Sequence, residues 1–306
     1  MHNKHIFLLV LLLAPSLCRG EIMSQLNNSK DETPLIIEAQ EQVVCDETAH
    51  KCVARGKAMA QKGTNKVFGD VLTAYFTDDR KITAVTADGN VRMETPTDKA
   101  YGEHAHYDVE LDRVIMTGGN LKITTPKEIL TARDSLEFWH KENKGIAKGN
   151  AIATFPTKGE LVQADTLVAY FKNASDKNQD DKEKQSLDRI EAEGNVLASN
   201  PKGVLTGDRG TYSSSANLVE VFDNVQIMQE NNIIEGGYAR YSLKTNITEM
   251  FTHTPQVASD KPTKRISGII IPKDAKKMKD EKDKISIKKK SNDKDRQVFP
   301  TSAKTE

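Results

Sequence analysis

A short motif built on Gly and Asn recurs along the middle of the chain at a spacing near thirty residues. Its copies begin at residues 56, 89, 119, 149, 194 and 223, so successive steps are 33, 30, 30, 45 and 29 residues. The long step contains the polar segment 173–186, which we interpret as a disordered surface insertion. Such a period indicates similar units that bury their apolar faces by stacking on one another. The copies are Gly56-Lys57-Ala58, Gly89-Asn90-Val91, Gly119-Asn120-Leu121, Gly149-Asn150-Ala151, Gly194-Asn195-Val196 and Asp223-Asn224-Val225.

A second motif, in which a glycine or alanine is followed a few residues later by an aromatic residue, alternates with the first. Most copies carry an acidic residue directly or shortly after their first position, and the spacing again stays near thirty residues outside the insertion. Two motifs that keep one period through six copies define a single repeat. The copies span Gly69–Tyr75, Gly102–Tyr107, Ala132–Phe138, Ala164–Tyr170, Gly207–Tyr212 and Gly236–Tyr241.

The segments around these motifs have the character of β-strands. They are short, rich in β-branched and aromatic residues, and many alternate in polarity, while the Gly-Asn and Gly-Asp pairs provide the positive φ of tight turns. No window of helical length shows a sustained apolar period of 3.6 residues. We therefore predict an all-β domain at 34–254, built as a solenoid-like or jelly-roll stack of antiparallel hairpins. The predicted strands are Val67–Phe76, Ile82–Ala87, Val114–Thr117, Ala151–Phe155, Leu167–Phe171 and Val219–Ile227.

Strand alternation directs one set of apolar side chains inward. These residues form either an ordinary packed core or an apolar trough between two sheets that admits acyl chains, and the residue chemistry alone leaves both interpretations open. The candidates for the interior, and hence for lipid binding, are Ile37, Leu72, Ala74, Phe76, Val91, Met93, Ile115, Leu121, Ile123, Leu136, Phe138, Leu167, Ala169, Phe171, Val196, Val221, Val225 and Ile227.

Cys45 and Cys52 flank the polar stretch Asp46–Lys51, which has the composition of a hairpin loop. In an oxidising compartment they are placed to form a disulfide across the loop ends, because a non-hydrogen-bonded hairpin pair has the required Cα separation. Two unpaired thiols are the alternative.

The first residues have the layout of a secretory signal peptide. Lys4 and His5 precede an apolar run from 6 to 14, and small residues follow around 16–20. We predict a cleaved signal peptide at 1–20 and an exported mature protein. Lipidation of Cys18 is the alternative, although Leu17 occupies a position where that processing favours a small residue.

The segment 255–306 is predicted to be a disordered, Lys-rich tail. Residues 260–306 carry 15 Lys and Arg against 8 Asp and Glu, so the chain before them is acidic overall. A segment with so few apolar residues cannot bury enough surface to fold. It is either a solvated tail or a tether to anionic lipid headgroups or an acidic partner.

No motif for catalysis, nucleotide binding or a cofactor is present. His104 and His106 are two residues apart and so share one face of a strand, with Glu103 adjacent, which makes them a candidate start of a metal site. They occupy positions of the repeat where Leu72 and Ala74 stand in another copy, so we interpret them as structural. Trp139 is the single tryptophan and is expected to pack. The acidic core argues against a nucleic-acid partner. We predict a protein that is not an enzyme and that holds no metal or cofactor.

The repeated pattern resembles the OstA-like family of lipopolysaccharide transport proteins. The similarity covers roughly 34–251 and is most specific in the segments Val85–Val91 and Ile190–Val196. It implies a twisted β-jelly roll whose apolar interior holds the acyl chains of lipid A. It also implies a periplasmic location, end-to-end self-association, and a bridge from an LptC-like inner-membrane protein to an LptD-like outer-membrane translocon. A structural β-solenoid for scaffolding or adhesion, with a packed interior, is the alternative.

Overall fold

One antiparallel sheet of eighteen strands accounts for most of the described chain. The structure, a computed structural model, describes residues 35–172, 186–230, 232–254 and 265–270. The predicted signal peptide, most of the 173–186 insertion and most of the tail lie outside the described residues. The strands are β1 Leu35–Glu38, β2 Gln42–Asp46, β3 Lys51–Lys62, β4 Asn65–Phe76, β5 Ile82–Glu94, β6 Lys99–Asp108, β7 Arg113–Thr117, β8 Lys122–Thr124, β9 Ile129–Thr131, β10 Ser135–Trp139, β11 Lys144–Phe155, β12 Glu160–Lys172, β13 Ser186–Asn200, β14 Gly203–Ser213, β15 Leu218–Gln229, β16 Asn232–Ser242, β17 Ile247–Phe251 and β18 Ser267–Ile269.

The strands form a meander in which each long strand pairs with the next along the chain. Four pairs of short strands take the place of long ones. Strands β7 and β8 both pair with β6, and their partners β10 and β9 both pair with β11. In the same way β1 and β2 share β3, and β17 and β18 share β16. The all-β prediction is confirmed, and the hairpins stack in chain order as the repeat requires.

Five of the six Gly-Asn motif copies lie in the middle of long strands, at β-bulges, and the sixth, Gly119-Asn120, lies in the break between β7 and β8. None of them forms a hairpin turn, which is what the sequence predicted. The pairing register shifts between Asp88 and Val91 in β5 and between Glu193 and Val196 in β13. Gly89 and Asn90 have φ values of 75° and 49°, in the left-handed region that such an irregularity requires. The prediction of positive φ was correct for most of the Gly-Asn pairs, which use it to bend a strand, and wrong for the Gly-Asp pairs, because neither Gly69 nor Gly207 has a positive φ.

The bulges of the long strands lie side by side with the breaks between the paired short strands. Together they form a line across the strands that divides the sheet into two halves. The first half-sheet contains residues 51–55 of β3 together with the strand segments that pair with them and with one another. The second half-sheet contains residues 58–62 of β3 and the segments that pair with them in the same way. Buried residues of both halves, such as Leu72 and Met93, belong to one hydrophobic cluster, so the inner faces of the two half-sheets share a core. This arrangement is a β-jelly roll, as predicted.

The two sequence motifs meet at the bend and form one repeated corner. The Nδ2 atom of Asn90 donates a hydrogen bond to Oδ2 of Asp70 at 2.8 Å, and Asn195 donates to Asp165 at the same distance. A Cβ on Gly89 would collide with the Asp70 carboxylate that lies over it. The acidic residue of one motif therefore covers the glycine of the next, which explains why both motifs share a period.

Candidate functional site

Most of the predicted interior residues lie on the inner faces of the half-sheets. They occupy alternate positions of neighbouring strands, and their cross-strand partners are also buried or partly buried apolar residues. Ala74, Phe76, Leu167 and Phe171 are partly buried. The fully buried members are Leu72, Val91, Met93, Leu121, Ile123, Leu136, Phe138, Ala169, Val196, Val221, Val225 and Ile227.

The inward orientation predicted for Ile115 is wrong. Its neighbours Val114 and Met116 are buried on the inner face, whereas Ile115 lies between His106 and Glu137 on the outer face. The break that follows β7 contains one residue more than the bulges at the other copies of the Gly-Asn motif, because Gly118 precedes the Gly-Asn pair here. That extra residue shifts the alternation between β7 and β8, so Leu121 and Ile123 point inward but Ile115 does not.

An apolar pocket opens between the half-sheets at the N-terminal end of the jelly roll. It has a volume of about 670 Å³ with the solvent in its mouth included. Ile37 lies at this end and is 40% exposed, so the predicted interior reaches solvent here. Thr73, which alternation places on the outer face, is 8% exposed and also contributes to the wall. The wall consists of Ile37, Val43, Cys52, Ala54, Ala60, Val67, Leu72, Thr73, Ala74, Ile82, Val85, Tyr107 and Val109, and we call this space the N-terminal pocket.

Several wall residues were missed by the sequence analysis because they are small or come from edge strands. Ala54 and Ala60 carry little hydrophobic signal, yet both face the pocket from β3. Tyr107 was visible as the aromatic residue of the second motif. Its hydroxyl donates a hydrogen bond to Oδ1 of Asp112 at 3.0 Å, and burial together with the Asp112 charge raises its pKa. The tyrosine ring therefore forms part of the apolar wall, while its hydroxyl group has a hydrogen-bond partner in the turn that follows β6.

A smaller apolar pocket lies near the C-terminal end, among Leu205, Val219, Ile227 and Tyr241, with a volume of about 340 Å³ when the solvent in its mouth is included. Between the two pockets the described interior is packed, since Leu121 and Ala151 are 2% and 0% exposed. The inner surface thus has an open space at each end and a packed middle.

Three carboxyl groups, those of Asp98, Glu128 and Glu160, are buried at the margin of this apolar interior, and Glu128 is the most buried of them. Glu128 is 2% exposed, and neither of its carboxyl oxygens has a hydrogen-bond partner among the described residues. Burial, and to a lesser degree the nearby Asp98 charge, raise the pKa of Glu128 to about 7, against the opposing charge of Lys127. Burial likewise raises the pKa of Glu160, opposed by Lys158.

His104 and His106 face outward and are exposed. The equivalence assumed between them and Leu72 and Ala74 is wrong by one position, because this copy of the motif is one residue shorter; Ala105 and Tyr107 take the inward places. His104 Nδ1 lies 3.0 Å from Oδ1 of Asp88. In the described part of the chain no group of three or more His, Cys, Asp or Glu residues is arranged to hold a metal ion.

Cys45 and Cys52 are joined by a disulfide. They are direct partners in the β2–β3 ladder, with their Cα atoms 4.0 Å apart. This is the closely spaced, non-hydrogen-bonded kind of pair that the sequence argument assumed. The bond fixes the edge strand β2 to the body of the sheet.

A jelly roll with an apolar interior open at its ends defines a class of proteins that can hold an apolar ligand between sheets. The comparison with protein families shows to which family within this class the chain belongs. The model of the LptA and LptD N-terminal domain family of LPS transport proteins matches residues 36–144 and again 133–247. The chain belongs to this family, which is one of transport components and not of enzymes.

Comparison with solved structures gives LptH from Pseudomonas aeruginosa, described as the LptA-homologous periplasmic component of the lipopolysaccharide transport device. It is 16% identical, with 79% of this chain and 97% of that chain covered and a TM-score of 0.20. No curated protein matches the chain. In the part of the chain that the structure describes, no helix is long and apolar enough to cross a bilayer.

Proposed function

We propose that the protein binds lipopolysaccharide in the periplasm and carries it between the inner and outer membranes. The observation that supports this most directly is the N-terminal pocket, an open apolar space between two half-sheets in a chain of a lipopolysaccharide transport family. Acyl chains need an apolar surface that is kept from water yet remains accessible, and the pocket offers both. The predicted residues Ile37, Leu72 and Ala74 belong to its wall.

The bridging role rests on the two ends of the sheet. Within the described residues, β1 and β2 pair only with β3, and β17 and β18 pair only with β16. Each end therefore presents a strand edge whose backbone groups can pair with another chain. We propose that these edges contact an LptC-like protein at the inner membrane, an LptD-like translocon at the outer membrane, and further copies of this chain between them.

The closed middle of the interior favours a second candidate, a scaffold with a packed core. Met93, Leu121 and Ala151 are 1%, 2% and 0% exposed, as expected for a core that holds nothing. A charge at Met93 would unfold the domain under either function, because it would bury an unpaired carboxylate. A test must therefore use the open pocket.

Ala74 is suited to this test because it faces the N-terminal pocket and is only partly buried. We expect Ala74→Glu to keep the fold and to reduce binding of purified lipopolysaccharide by at least about tenfold, since water at the pocket mouth can solvate the carboxylate. The matched control is Thr86→Glu, which places the same group on the outer face of β5 opposite His106. Equal binding by both variants, or no lipopolysaccharide bound by the wild type, would favour the scaffold.

A further inference from the structure

The inner side of the second half-sheet ends in a row of polar side chains at its hairpin turns. Asp98 lies two residues before Ala100, Glu128 two before Leu130, and Glu160 two before Val162. Residues two apart in an extended segment share a face, so these carboxyl groups face the same interior as their apolar neighbours. We call this row the polar lip, and its buried members are Lys62, Asn65, Asp98, Thr125, Glu128 and Glu160.

The polar lip is continuous across the middle of the molecule. Lys99 pairs with Thr124, which places Asp98 beside Thr125, and the backbone N–H of Thr125 donates to the carbonyl oxygen of Glu128 at 2.9 Å. On the other side of Glu128, Phe155 pairs with Glu160 across the β11–β12 hairpin. Successive hairpins thus contribute neighbouring polar groups along one line.

Two of these hairpins use the same turn to aim an acidic residue inward. In Thr95–Asp98, Oγ1 of Thr95 accepts a hydrogen bond from the backbone N–H of Asp98 at 2.9 Å. In Thr125–Glu128, Oγ1 of Thr125 accepts from the N–H of Glu128 at 3.1 Å. A proline follows the threonine in both turns, and the proline ring fixes the φ of the proline residue itself. The backbone of each acidic residue is therefore held in place before its side chain makes any contact.

Glu128 differs from the rest of the polar lip because both of its carboxyl oxygens lack a hydrogen-bond partner among the described residues, whereas at Glu160 only Oε2 is buried without one. Lys62, Asn65 and Asp98 have interaction partners, and Glu160 lies 4.0 Å from Lys158. An unsatisfied carboxyl group in the interior lowers the stability of the free protein. Because burial raises its pKa to about 7, it can both donate and accept hydrogen bonds near neutral pH.

We propose that Glu128 and the polar lip around it bind the hydroxyl and amide groups of the sugar headgroup of the carried amphiphile. This inference rests on the proposed function, since it assumes that acyl chains lie against the apolar residues beside the lip. Leu130 and Phe155 are the apolar residues directly next to Glu128, and they are 7% and 2% exposed, so acyl chains must part the packed half-sheets to reach them. The negative charge of Asp98 lies near Glu128, so this part of the lip favours neutral hydrogen-bond donors over a phosphate.

The test compares Glu128→Leu and Glu128→Gln with the wild type, using purified lipopolysaccharide and myristic acid as probes. Myristic acid has an acyl chain but no sugar. We expect Glu128→Leu to bind lipopolysaccharide at least about tenfold more weakly, to bind myristic acid unchanged, and to melt at a higher temperature. Glu128→Gln, which keeps hydrogen-bonding groups, should retain most of the lipopolysaccharide binding.

The control is Glu110→Leu in an exposed turn of the first half-sheet, which should change neither affinity. Unchanged lipopolysaccharide binding by Glu128→Leu would overturn the inference and leave the proposed function standing. A lower melting temperature with equal losses for both probes would assign Glu128 a structural role and also overturn it. A wild type that binds neither probe would overturn the proposed function itself.

Discussion

At the scale of single residues, the glycines of the repeated corner meet two requirements at once. Gly194 has a φ of 76°, and a Cβ at this position would collide with the carboxylate of Asp165. Asn195 beside it tolerates a positive φ and uses its amide to bind the same carboxylate at 2.8 Å. The Gly-Asn order therefore follows from sterics at the first position and hydrogen bonding at the second.

We expect Gly194→Ala to lower the free energy of unfolding by about 1–3 kcal/mol, because it adds backbone strain and displaces Asp165. The matched control is Gly145→Ala, where a Cβ would meet its nearest neighbours, Phe138 and Phe171, at 3.8 Å. That variant should stay within about 0.5 kcal/mol of the wild type. Urea unfolding of both variants measures the difference, and equal losses would contradict a special role for the corner.

The buried Glu128 carboxyl should make stability depend on pH. Its pKa is raised from 4.5 to about 7 in the folded protein, so the folded state binds more protons than the unfolded state between these values. Its contribution therefore falls as the pH rises from about 4.5 through 7, by an amount on the order of 3 kcal/mol.

Glu128→Gln removes this titration. The difference in unfolding free energy between variant and wild type, measured by urea unfolding at pH 5 and pH 8, should favour the variant more at pH 8. A difference that is the same at both pH values would show that the group titrates normally.

At the scale of strands and hairpins, the sequence predicted the strands better than it predicted how they connect. Val67–Phe76 corresponds to most of β4, but Ile82–Ala87 is only the first part of β5. The prediction stopped there because Gly89-Asn90 reads as a turn. Turns and bulges both need positive φ, so one sequence cannot distinguish them locally.

Which side chains of a strand point inward was predictable only where the bulge leaves the usual number of residues between the inward positions on its two sides. From Ala87 to Val91 and from Val221 to Val225 the inward positions are four residues apart, so simple alternation works across the bulge. From Met116 to Leu121 the separation is five, and alternation places Ile115 on the wrong face. The pairing with Leu136 and Ala105 that fixes Met116 inward is a long-range contact absent from the local pattern.

The disulfide should stabilise the edge formed by β2. All five residues of β2 are exposed, and within the described chain the strand pairs with β3 alone, so little else holds it. Closing this short loop contributes about 2–3 kcal/mol in the chain-entropy model. We expect Cys45→Ser with Cys52→Ser to increase hydrogen exchange in β2 selectively. Unchanged protection of β2 in the double variant would indicate that the bond adds nothing to the edge.

At the scale of the whole molecule, stacking explains both the continuous interior and the exposed ends. Every internal strand has neighbours on both sides, whereas the ends expose apolar side chains such as Val43 and Val44 at one end and Ile247 and Ile269 at the other. The period in the sequence predicted this open-ended stack. The open pockets and the closed middle were not predictable, because they depend on how side chains of distant strands fill the shared space.

End-to-end association through the β2 edge can be tested by removing one backbone hydrogen-bond donor from that edge. Cys45 and Cys52 form a closely spaced pair, so Val43, two residues away, is of the same kind and directs its N–H away from β3. Val43→Pro removes that donor and leaves the β3 ladder intact, and proline is tolerated in edge strands. We expect it to weaken self-association, followed by sedimentation velocity, by at least about tenfold, because a ladder starting at this edge loses a hydrogen bond and meets the proline ring. Val43→Thr keeps the N–H and should associate like the wild type. If Val43→Pro also associates like the wild type, the contact does not use this edge, and the bridge must be built through another surface.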